Sequence, residues 1–285
     1  MADSTRTTQA AQAAQAAQAE PMLSVEGVSK YFHRGSVNEV LALKRVGLRV
    51  ERGDFVTIIG SNGAGKSTLL TAIAGGFLPD EGRILLAGDD VTRWPEHKRA
   101  LHIGRVFQDP LKGTCASGTI EQNLALAGLR GKRRGLARGV KARERAEFRE
   151  RLATLGLGLE NRLTDLAGLL SGGQRQALTL LMATMQRPDV LLLDEHTAAL
   201  DPKTGQQIIE LTRKIVGQER LTTLMVTHNM NQALALGDRL VMMHQGEVIL
   251  DIGGEEKRTL RVEDLLARFY ALKGEAFSSD KMLLV

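Results

Sequence analysis

Residues 60–68, GSNGAGKST, have the spacing G-x-x-x-x-G-K-[ST] that is typical of a loop that binds the phosphates of a nucleotide. The glycines at 60, 63 and 65 let the backbone curl so that successive N–H groups point at phosphate oxygens, and a helix starting near Lys66 adds the positive end of its dipole. Lys66 should reach the β- and γ-phosphates, and the Ser67 hydroxyl should ligate Mg²⁺. The predicted nucleotide-binding loop consists of Gly60, Ser61, Asn62, Gly63, Ala64, Gly65, Lys66, Ser67 and Thr68.

Two adjacent carboxylates, Asp194 and Glu195, follow the apolar run VLLL. A polar strand end or a helix cap would explain either residue taken alone. Together with a phosphate-binding loop, they predict two separate tasks. Asp194 would hold Mg²⁺ through the water shell that this ion gives up reluctantly, and Glu195 would orient or deprotonate the attacking water.

Two further polar residues end predicted strands at the same rim. Gln108 ends RVFQ, and His228 ends TTLMVTH. Taken singly, each is more often a hydrogen-bonded strand end than a catalyst. At this rim Gln108 can carry an amide to Mg²⁺ or to the lytic water, and His228 can donate a hydrogen bond to the γ-phosphate.

A second pattern of small residues lies far downstream, in LSGGQRQAL at residues 170–178. Ser171, Gly172 and Gly173 lead straight into a helix-forming run. This segment has the shape of another phosphate-binding site, although its residues alone predict only a helix cap. It raises the question of why one chain should carry two such sites.

The elements that would position these residues alternate along the chain. Apolar runs with polar residues only at their C-terminal ends predict strands covered on both faces, as in a parallel sheet; they are 55–60, 190–195 and 222–228. The predicted helices are 174–186, 203–216 and 229–236, after the helix that follows the phosphate loop. This is α/β construction, in which ligand chemistry is expected where strands end and helices begin.

Antiparallel strands are predicted on either side of this core. LSVEGVSKYF and LALKRVGLRV precede the phosphate loop, and RLVMMH and EVILDI form a late hairpin joined at Gln245-Gly246. Strand signals are missing from about residue 109, and we assign 109–186 to an inserted helical subdomain. Residues 1–20 are low-complexity and predicted to be disordered. An ATPase domain is predicted over 21–252, followed by a tail, 253–285, with one amphipathic stretch, VEDLLARFYALK.

Composition excludes several classes of protein. No apolar stretch approaches the roughly 18 residues needed for a membrane span, and Cys115 is the only cysteine, so no internal disulfide is expected and Cys115 is predicted to be a packing residue. The net charge is +5, with many arginines in residues 130–152. That stretch is either a solvated helical face with interleaved glutamates, or a contact for anionic lipid or nucleic acid; it has no aromatic stacking platform.

In this order the motifs resemble those of the ATP-binding subunit of an ABC transporter, from about residue 22 to 252. GSNGAGKST is similar to the Walker A loop and Gln108 to the Q-loop glutamine, LSGGQRQAL to the family signature and VLLLDE to Walker B. AALD at 198–201 looks like the D-loop, and His228 like the switch histidine. The resemblance implies a P-loop NTPase of the ABC type, with a parallel core sheet, an antiparallel β subdomain and an inserted helical subdomain.

The resemblance also implies a use for the second site. In this family the signature of one subunit closes over ATP held by the Walker A loop of its partner, so a head-to-tail dimer of two copies contains two composite sites. The residues expected to contact ATP in trans are Ser171, Gly172, Gly173 and Gln174. Phe32 occupies the place of the aromatic that stacks on adenine, with Tyr31 as the neighbouring candidate; ordinary strand packing is the alternative for Phe32.

Implied cofactors and partners follow from the same likeness. ATP and Mg²⁺ are expected at the cytoplasmic face of the membrane, with a separate permease subunit and, through it, an external substrate-binding protein of an importer. A soluble ABC ATPase acting on nucleic acid or ribosomes is the alternative, but such proteins usually carry two cassettes or a long coiled coil. A small-molecule kinase would not need the signature.

One position departs from the family pattern. Most relatives have proline after the Walker B glutamate, whereas this chain has His196. His196 is either a bystander loop residue or a second titrating group near the lytic water. The segments around it and around His228 are similar to a bacterial subgroup linked to uptake of amino acids, such as tryptophan or tyrosine, or of related small organic solutes.

Overall fold

The computed structural model describes residues 20–132 and 140–273 of the 285-residue chain. The predicted disordered leader therefore lies outside the described residues, except for Glu20. The strands are β1 Leu23–Phe32, β2 Val40–Val50, β3 Phe55–Ile59, β4 Glu81–Leu86, β5 Asp89–Asp90, β6 Ile103–Val106, β7 Val190–Asp194, β8 Thr222–Val226, β9 Arg239–His244 and β10 Glu247–Gly253. The α-helices are α1 Lys66–Ala74, α2 Glu96–Arg99, α3 Ile120–Gly128, α4 Ala142–Ala153, α5 Gly172–Thr184, α6 Pro202–Glu219, α7 Met230–Ala235, α8 Gly254–Thr259 and α9 Val262–Lys273.

The core is a six-stranded sheet in the order β10-β9-β3-β8-β7-β6. Its neighbours pair in parallel, apart from the antiparallel hairpin β9-β10. Every residue of β3, β7 and β8 is buried, as expected for central strands covered on both faces. The predicted α/β fold is confirmed, and the carboxyl ends of β3, β6, β7 and β8 all lie along one edge.

The antiparallel elements also form as predicted. β1 pairs with β2 and with β4, and β5 extends this second sheet to four strands. Gln245 and Gly246 join β9 to β10 with φ of 45° and 81°. Two successive positive φ values give the turn a twist that matches the strands it connects.

Strand ends differ from the prediction by two residues at two places. β6 ends at Val106 and β8 at Val226, so Gln108 and His228 lie in the loops that follow and are not terminal strand residues. β6 and β8 stop pairing where their neighbouring strands change direction. β7 passes into Glu195 at φ 43°, and β3 passes into Gly60 at φ 150°.

The signature helix α5 begins at Gly172, two residues before the predicted start. Ser171 caps this helix. The Ser171 hydroxyl accepts from the backbone N–H of Gln174, and the side-chain oxygen of Gln174 accepts from the backbone N–H of Ser171, both at 3.2 Å. This reciprocal pair is a capping box.

The chain between β6 and β7 contains α3, α4, α5 and two short 3₁₀ turns among its described residues. These elements share an apolar cluster, which includes Ile120, Leu124, Phe148 and Leu152, and to which α6 adds Ile208. Residues 133–139 of the basic stretch lie outside the described residues. On α4, Arg145 binds the buried Glu121 of α3 through two contacts of 2.5 and 2.8 Å. The exposed pair of Arg151 with Glu147, at 2.9 Å, favours the solvated-face interpretation for the helix.

The C-terminal helices pack on the core. Leu265 and Phe269 of α9 are buried in a cluster that contains Ile59, the last residue of β3, and Met230, the first residue of α7. No helix in the described part of the chain is long and apolar enough to cross a bilayer.

The prediction that Cys115 packs in the interior is wrong, because its side chain is exposed. Asn123 holds the Cys115 backbone instead: its amide oxygen accepts from the Cys115 N–H at 2.8 Å, and its amide nitrogen donates to the Cys115 carbonyl at 3.0 Å. These bonds hold the backbone of a turn whose side chains point to solvent.

Candidate functional site

A cleft of about 620 Å³ lies at the carboxyl edge of the core sheet. It gathers residues that are far apart in sequence: the phosphate loop and the first turn of α1, Gln108, Glu195 and Phe32. Four lining residues carried no motif and were not predicted; they are Val40, Leu41 and Ala42 of β2, and Gln245 of the hairpin turn.

Lys66 is buried at the base of the phosphate loop. Its ammonium donates to the carbonyls of Gly60 at 2.7 Å and Ser61 at 3.0 Å. Burial lowers the pKa of Lys66, and the carboxylates of Glu195 and Asp194 oppose that shift. Lys66 is thus a desolvated cation with two donors engaged by carbonyls of the loop itself, from which they can turn to a phosphate.

Gly65 sets the tight turn from the loop into α1. Its φ is 97°, and a Cβ there would lie 2.6 Å from the Ala42 carbonyl oxygen. A side chain is excluded by conformation and by space, so that β2 can lie directly against the start of α1.

The Ser67 hydroxyl donates to Asp194 Oδ1 at 2.9 Å. Asp194 is buried, and its other oxygen lies 3.7 Å from the guanidinium of Arg105, which also donates to the Thr71 hydroxyl at 2.9 Å. A hydroxyl and a carboxylate meeting at the phosphate loop supply the hard oxygen ligands that Mg²⁺ prefers. The donor set fits that ion, and Gln108, exposed at the same cleft, adds an amide oxygen.

Glu195 adopts φ 43°, which is uncommon for any residue other than glycine. Its backbone N–H donates to the Val226 carbonyl at 3.1 Å, and its carboxylate lies 3.4 Å from His228 Nδ1. His228 is half exposed and reaches the cleft through this contact. Unusual backbone geometry of this kind is found at functional sites, where the surrounding structure enforces it.

Of the two aromatic candidates, Phe32 lines the cleft and Tyr31 does not. Phe32 is 36% exposed and meets Phe77 edge to face at 5.5 Å. Tyr31 instead carries the Arg34 guanidinium over its ring at 4.7 Å. An exposed ring face beside the phosphate loop is suited to stacking on a nucleobase.

The signature residues are not brought to this cleft within one chain, since none of 171–174 is among its lining residues. Ser171 and Gly172 are exposed at the N-terminus of α5, whereas Gly173 is buried against α6. A Cβ on Gly173 would lie 2.2 Å from Thr204 Cγ2. Glycine at 173 therefore permits close approach of the two helices, while 171 and 172 lie exposed at the helix N-terminus.

His196 is a buried residue of the loop, and it is not a group that titrates near neutral pH. It is 1% exposed, and burial lowers its pKa to about 4. Its Nε2 lies 3.0 Å from the Thr212 hydroxyl on α6. The structure thus contradicts the interpretation of His196 as a second titrating group beside the lytic water.

Comparison with known proteins identifies the family to which the chain is similar. A sequence model described as ABC transporter matches residues 43–198. The chain is 46% identical over 248 residues to a tyrosine transport ATP-binding protein of Clostridioides difficile, an alignment that covers 87% of this chain and 98% of that protein. It is 37% identical over 228 residues to the methionine import ATP-binding protein MetN of Corynebacterium efficiens, covering 78% of this chain but 60% of that longer protein.

Solved structures agree with the sequence matches. The dimeric, post-hydrolysis structure of the ATP-binding cassette MJ0796 bound to ADP and Pi superposes with a TM-score of 0.70 at 31% identity. The superposition covers 81% of this chain and 98% of that cassette.

Proposed function

The chain belongs to the ABC transporter family, and we propose that it is the ATP-hydrolysing subunit of a bacterial importer whose cargo is an aromatic amino acid or a related small organic solute. The observation that supports hydrolysis most directly is the meeting of Ser67 and Asp194 at 2.9 Å, with Glu195 lining the same cleft. The tyrosine transport relative supports the class of cargo.

The phosphate loop binds and orients the triphosphate through its backbone N–H groups, and Lys66 turns its ammonium from the loop carbonyls to the phosphates. Glu195 accepts a hydrogen bond from the attacking water and takes up its proton. His228, whose Nδ1 lies 3.4 Å from the Glu195 carboxylate, donates a hydrogen bond to the γ-phosphate. Mg²⁺, held by Ser67, Asp194 and Gln108, would supply charge neutralisation at the β- and γ-phosphates.

We assign the second phosphate site to a head-to-tail dimer of two copies. The exposed N-terminus of α5 offers the Gly172 N–H group and the Ser171 hydroxyl, and the positive end of a helix dipole attracts a γ-phosphate. Because these groups lie outside the cleft of their own chain, they are placed to cover ATP bound by another. The dimeric ADP-bound cassette that this chain resembles supports the arrangement.

We propose a permease subunit as the partner on the helical region, at the cytoplasmic face of the membrane, and an external binding protein that delivers cargo to it. The supporting feature is an apolar groove of about 290 Å³ formed by α3 and the turn before it. Leu126 and Leu129 line it, with Cys115 at its edge. Leu111, in the loop that follows Gln108, is also exposed.

The test is Glu195→Gln, which keeps the size and hydrogen bonding of the side chain but cannot take up a proton. We expect hydrolysis to fall by about a hundredfold or more, with ATP still bound and a stable dimer detectable by light scattering. Glu210→Gln, on the exposed side of α6, is the matched control and should resemble the wild type. A variant that stays monomeric in saturating Mg-ATP, both alone and with the permease, would refute the composite site.

The cargo is tested separately. The permease that copurifies from solubilised membranes is reconstituted with this subunit and its binding protein, and ATP hydrolysis is measured with tyrosine, tryptophan and methionine. Stimulation by the aromatic amino acids supports the proposed cargo, and stimulation by methionine alone refutes it.

A further inference from the structure

We propose that His196 is a positioning residue for catalysis: it ties the loop that carries Glu195 to helix α6 through a hydrogen bond to Thr212. The proposal rests on the catalytic role assigned above to Glu195. It concerns a residue that takes no part in binding ATP, and at a position where the family resemblance predicts proline.

The direction of the hydrogen bond follows from the partners of Thr212. The Thr212 hydroxyl donates its only proton to the Ile208 carbonyl at 2.8 Å. Towards His196, at 3.0 Å, it can therefore only accept. With this assignment of the hydroxyl proton, the imidazole carries its proton on Nε2, which sets the tautomer.

The bond is a side-chain link from the loop that carries Glu195 to α6, and the two ends of that loop are held by other hydrogen bonds. At its start, the Glu195 N–H donates to the Val226 carbonyl at 3.1 Å. At its end, Asp201 caps α6 by accepting from the Thr204 N–H at 3.1 Å. His196 lies directly after the strained backbone of Glu195 and anchors it to the third turn of α6, since Thr212 is the eleventh residue of the helix that begins at Pro202.

The anchor carries a cost that a purely structural residue would not need. Nδ1 of His196 is buried and has no hydrogen-bond partner among the described residues. A buried, unsatisfied polar atom is destabilising, so an apolar side chain of similar size would fill this site at least as well. A histidine with one buried nitrogen unsatisfied, next in sequence to the residue assigned as the catalytic base, is consistent with a role in the reaction.

The experiment compares His196→Leu, His196→Gln and Thr212→Val in the full-length chain. Leucine keeps the apolar packing but has no donor, glutamine can place its Nε2–H near the position of the histidine Nε2–H, and valine removes the acceptor. Thr223→Val is the matched control, because Thr223 is equally buried and its hydroxyl also donates to a backbone carbonyl, that of Leu221 at 3.0 Å, at the opposite end of the sheet.

A displacement of the order of 1 Å at a catalytic group lowers the rate by up to about a hundredfold. We expect kcat to fall about tenfold or more in His196→Leu and Thr212→Val, with KM for ATP within twofold of the wild type. His196→Gln should recover most of the rate, and the double variant His196→Leu/Thr212→Val should be no slower than either single variant. His196→Leu should resist urea at least as well as the wild type.

Nitrogen NMR of histidine-labelled protein provides a readout independent of activity. His196 should show a protonated Nε2 whose signal shifts in Thr212→Val and stays unchanged in Thr223→Val. Wild-type kcat in both His196→Leu and Thr212→Val, or an equal loss in Thr223→Val, would overturn the proposal. If His196→Leu fails to fold, Thr212→Val decides. Full hydrolysis in Glu195→Gln would refute the proposed function. Loss of hydrolysis in Glu195→Gln together with wild-type kcat in His196→Leu and Thr212→Val would refute only the role of His196.

Discussion

The contact between Gly173 and Thr204 gives a quantitative test of how the signature helix is held. Gly173 lies in the first turn of α5, and Thr204 in the first turn of α6. In Gly173→Ala the added Cβ would lie 2.2 Å from Thr204 Cγ2 and 3.7 Å from Thr204 Cβ. Carbon atoms in contact are normally about 3.5–4.0 Å apart, so only the Thr204 methyl group is in conflict.

The magnitude follows from two opposing effects. Overpacking of this kind costs about 1–3 kcal/mol, whereas alanine returns about 0.4–1 kcal/mol by restricting the unfolded chain. Gly173→Ala should therefore destabilise the protein by up to about 2.6 kcal/mol, and by about 1.3 kcal/mol at the middle of both ranges. Thr204→Ser removes the methyl group, and in that background the same Gly173→Ala should be neutral or stabilising.

The assay is urea-induced unfolding without nucleotide, followed by circular dichroism, for the wild type, both single variants and the double variant. The coupling energy should be about 1–3 kcal/mol in favour of the double variant. Gly217→Ala on α6 is the matched control, because a Cβ there meets nothing within 4 Å, and it should stabilise slightly. Additive effects, within about 0.5 kcal/mol, would show that the methyl contact does not hold the two helices together and would refute the reasoning.

Three further outcomes concern single residues. Lys66→Ala removes two charge-assisted hydrogen bonds to phosphate, each worth about 1.5–3 kcal/mol, so calorimetry should show ATP affinity reduced by about a hundredfold or more; unchanged affinity would remove the loop from the mechanism. His228→Ala should keep ATP affinity and lose most of the turnover measured by phosphate release, and near-normal turnover would leave His228 a structural role. Burial lowers the pKa of Lys257 from 10.5 to about 8, and the unfolded chain therefore holds this proton more tightly. Between about pH 8 and 10.5 the contribution of Lys257 to stability should rise with pH. The urea midpoint of the wild type should therefore increase relative to that of Lys257→Met over this range. A constant difference between the two midpoints would contradict the lowered pKa.

The sequence was most informative where function depends on local spacing. The phosphate loop, the carboxylate pair after β7 and the capping serine of α5 each involve residues within a few positions of one another. Their geometry is largely set by a strand end or a helix start, and those boundaries were predicted to within two residues.

It was least informative where the site depends on distant partners. Val40, Leu41 and Ala42 line the cleft because β2 lies against the start of α1, and Gln245 because the β9-β10 turn meets the phosphate loop; the Gly246 N–H donates to the Ala64 carbonyl at 3.1 Å. No motif marks such contacts. The burial of His196 was missed for the same reason, since its partner Thr212 lies on the far side of the loop, in the next helix.

The packing of α9 bears on how this protein should be shortened or tagged. Leu265 and Phe269 fill the space behind Ile59 and Met230, the residues that lead into the phosphate loop and out of the loop bearing His228. A chain trimmed to residues 43–198, or cut just after the β9-β10 hairpin, would lack α9. The two loops would then lose the packing of Leu265 and Phe269 against Ile59 and Met230, and an apolar surface would be exposed to solvent. Nucleotide binding measured on such a fragment would describe a weakened protein, and a purification handle belongs at the opposite terminus.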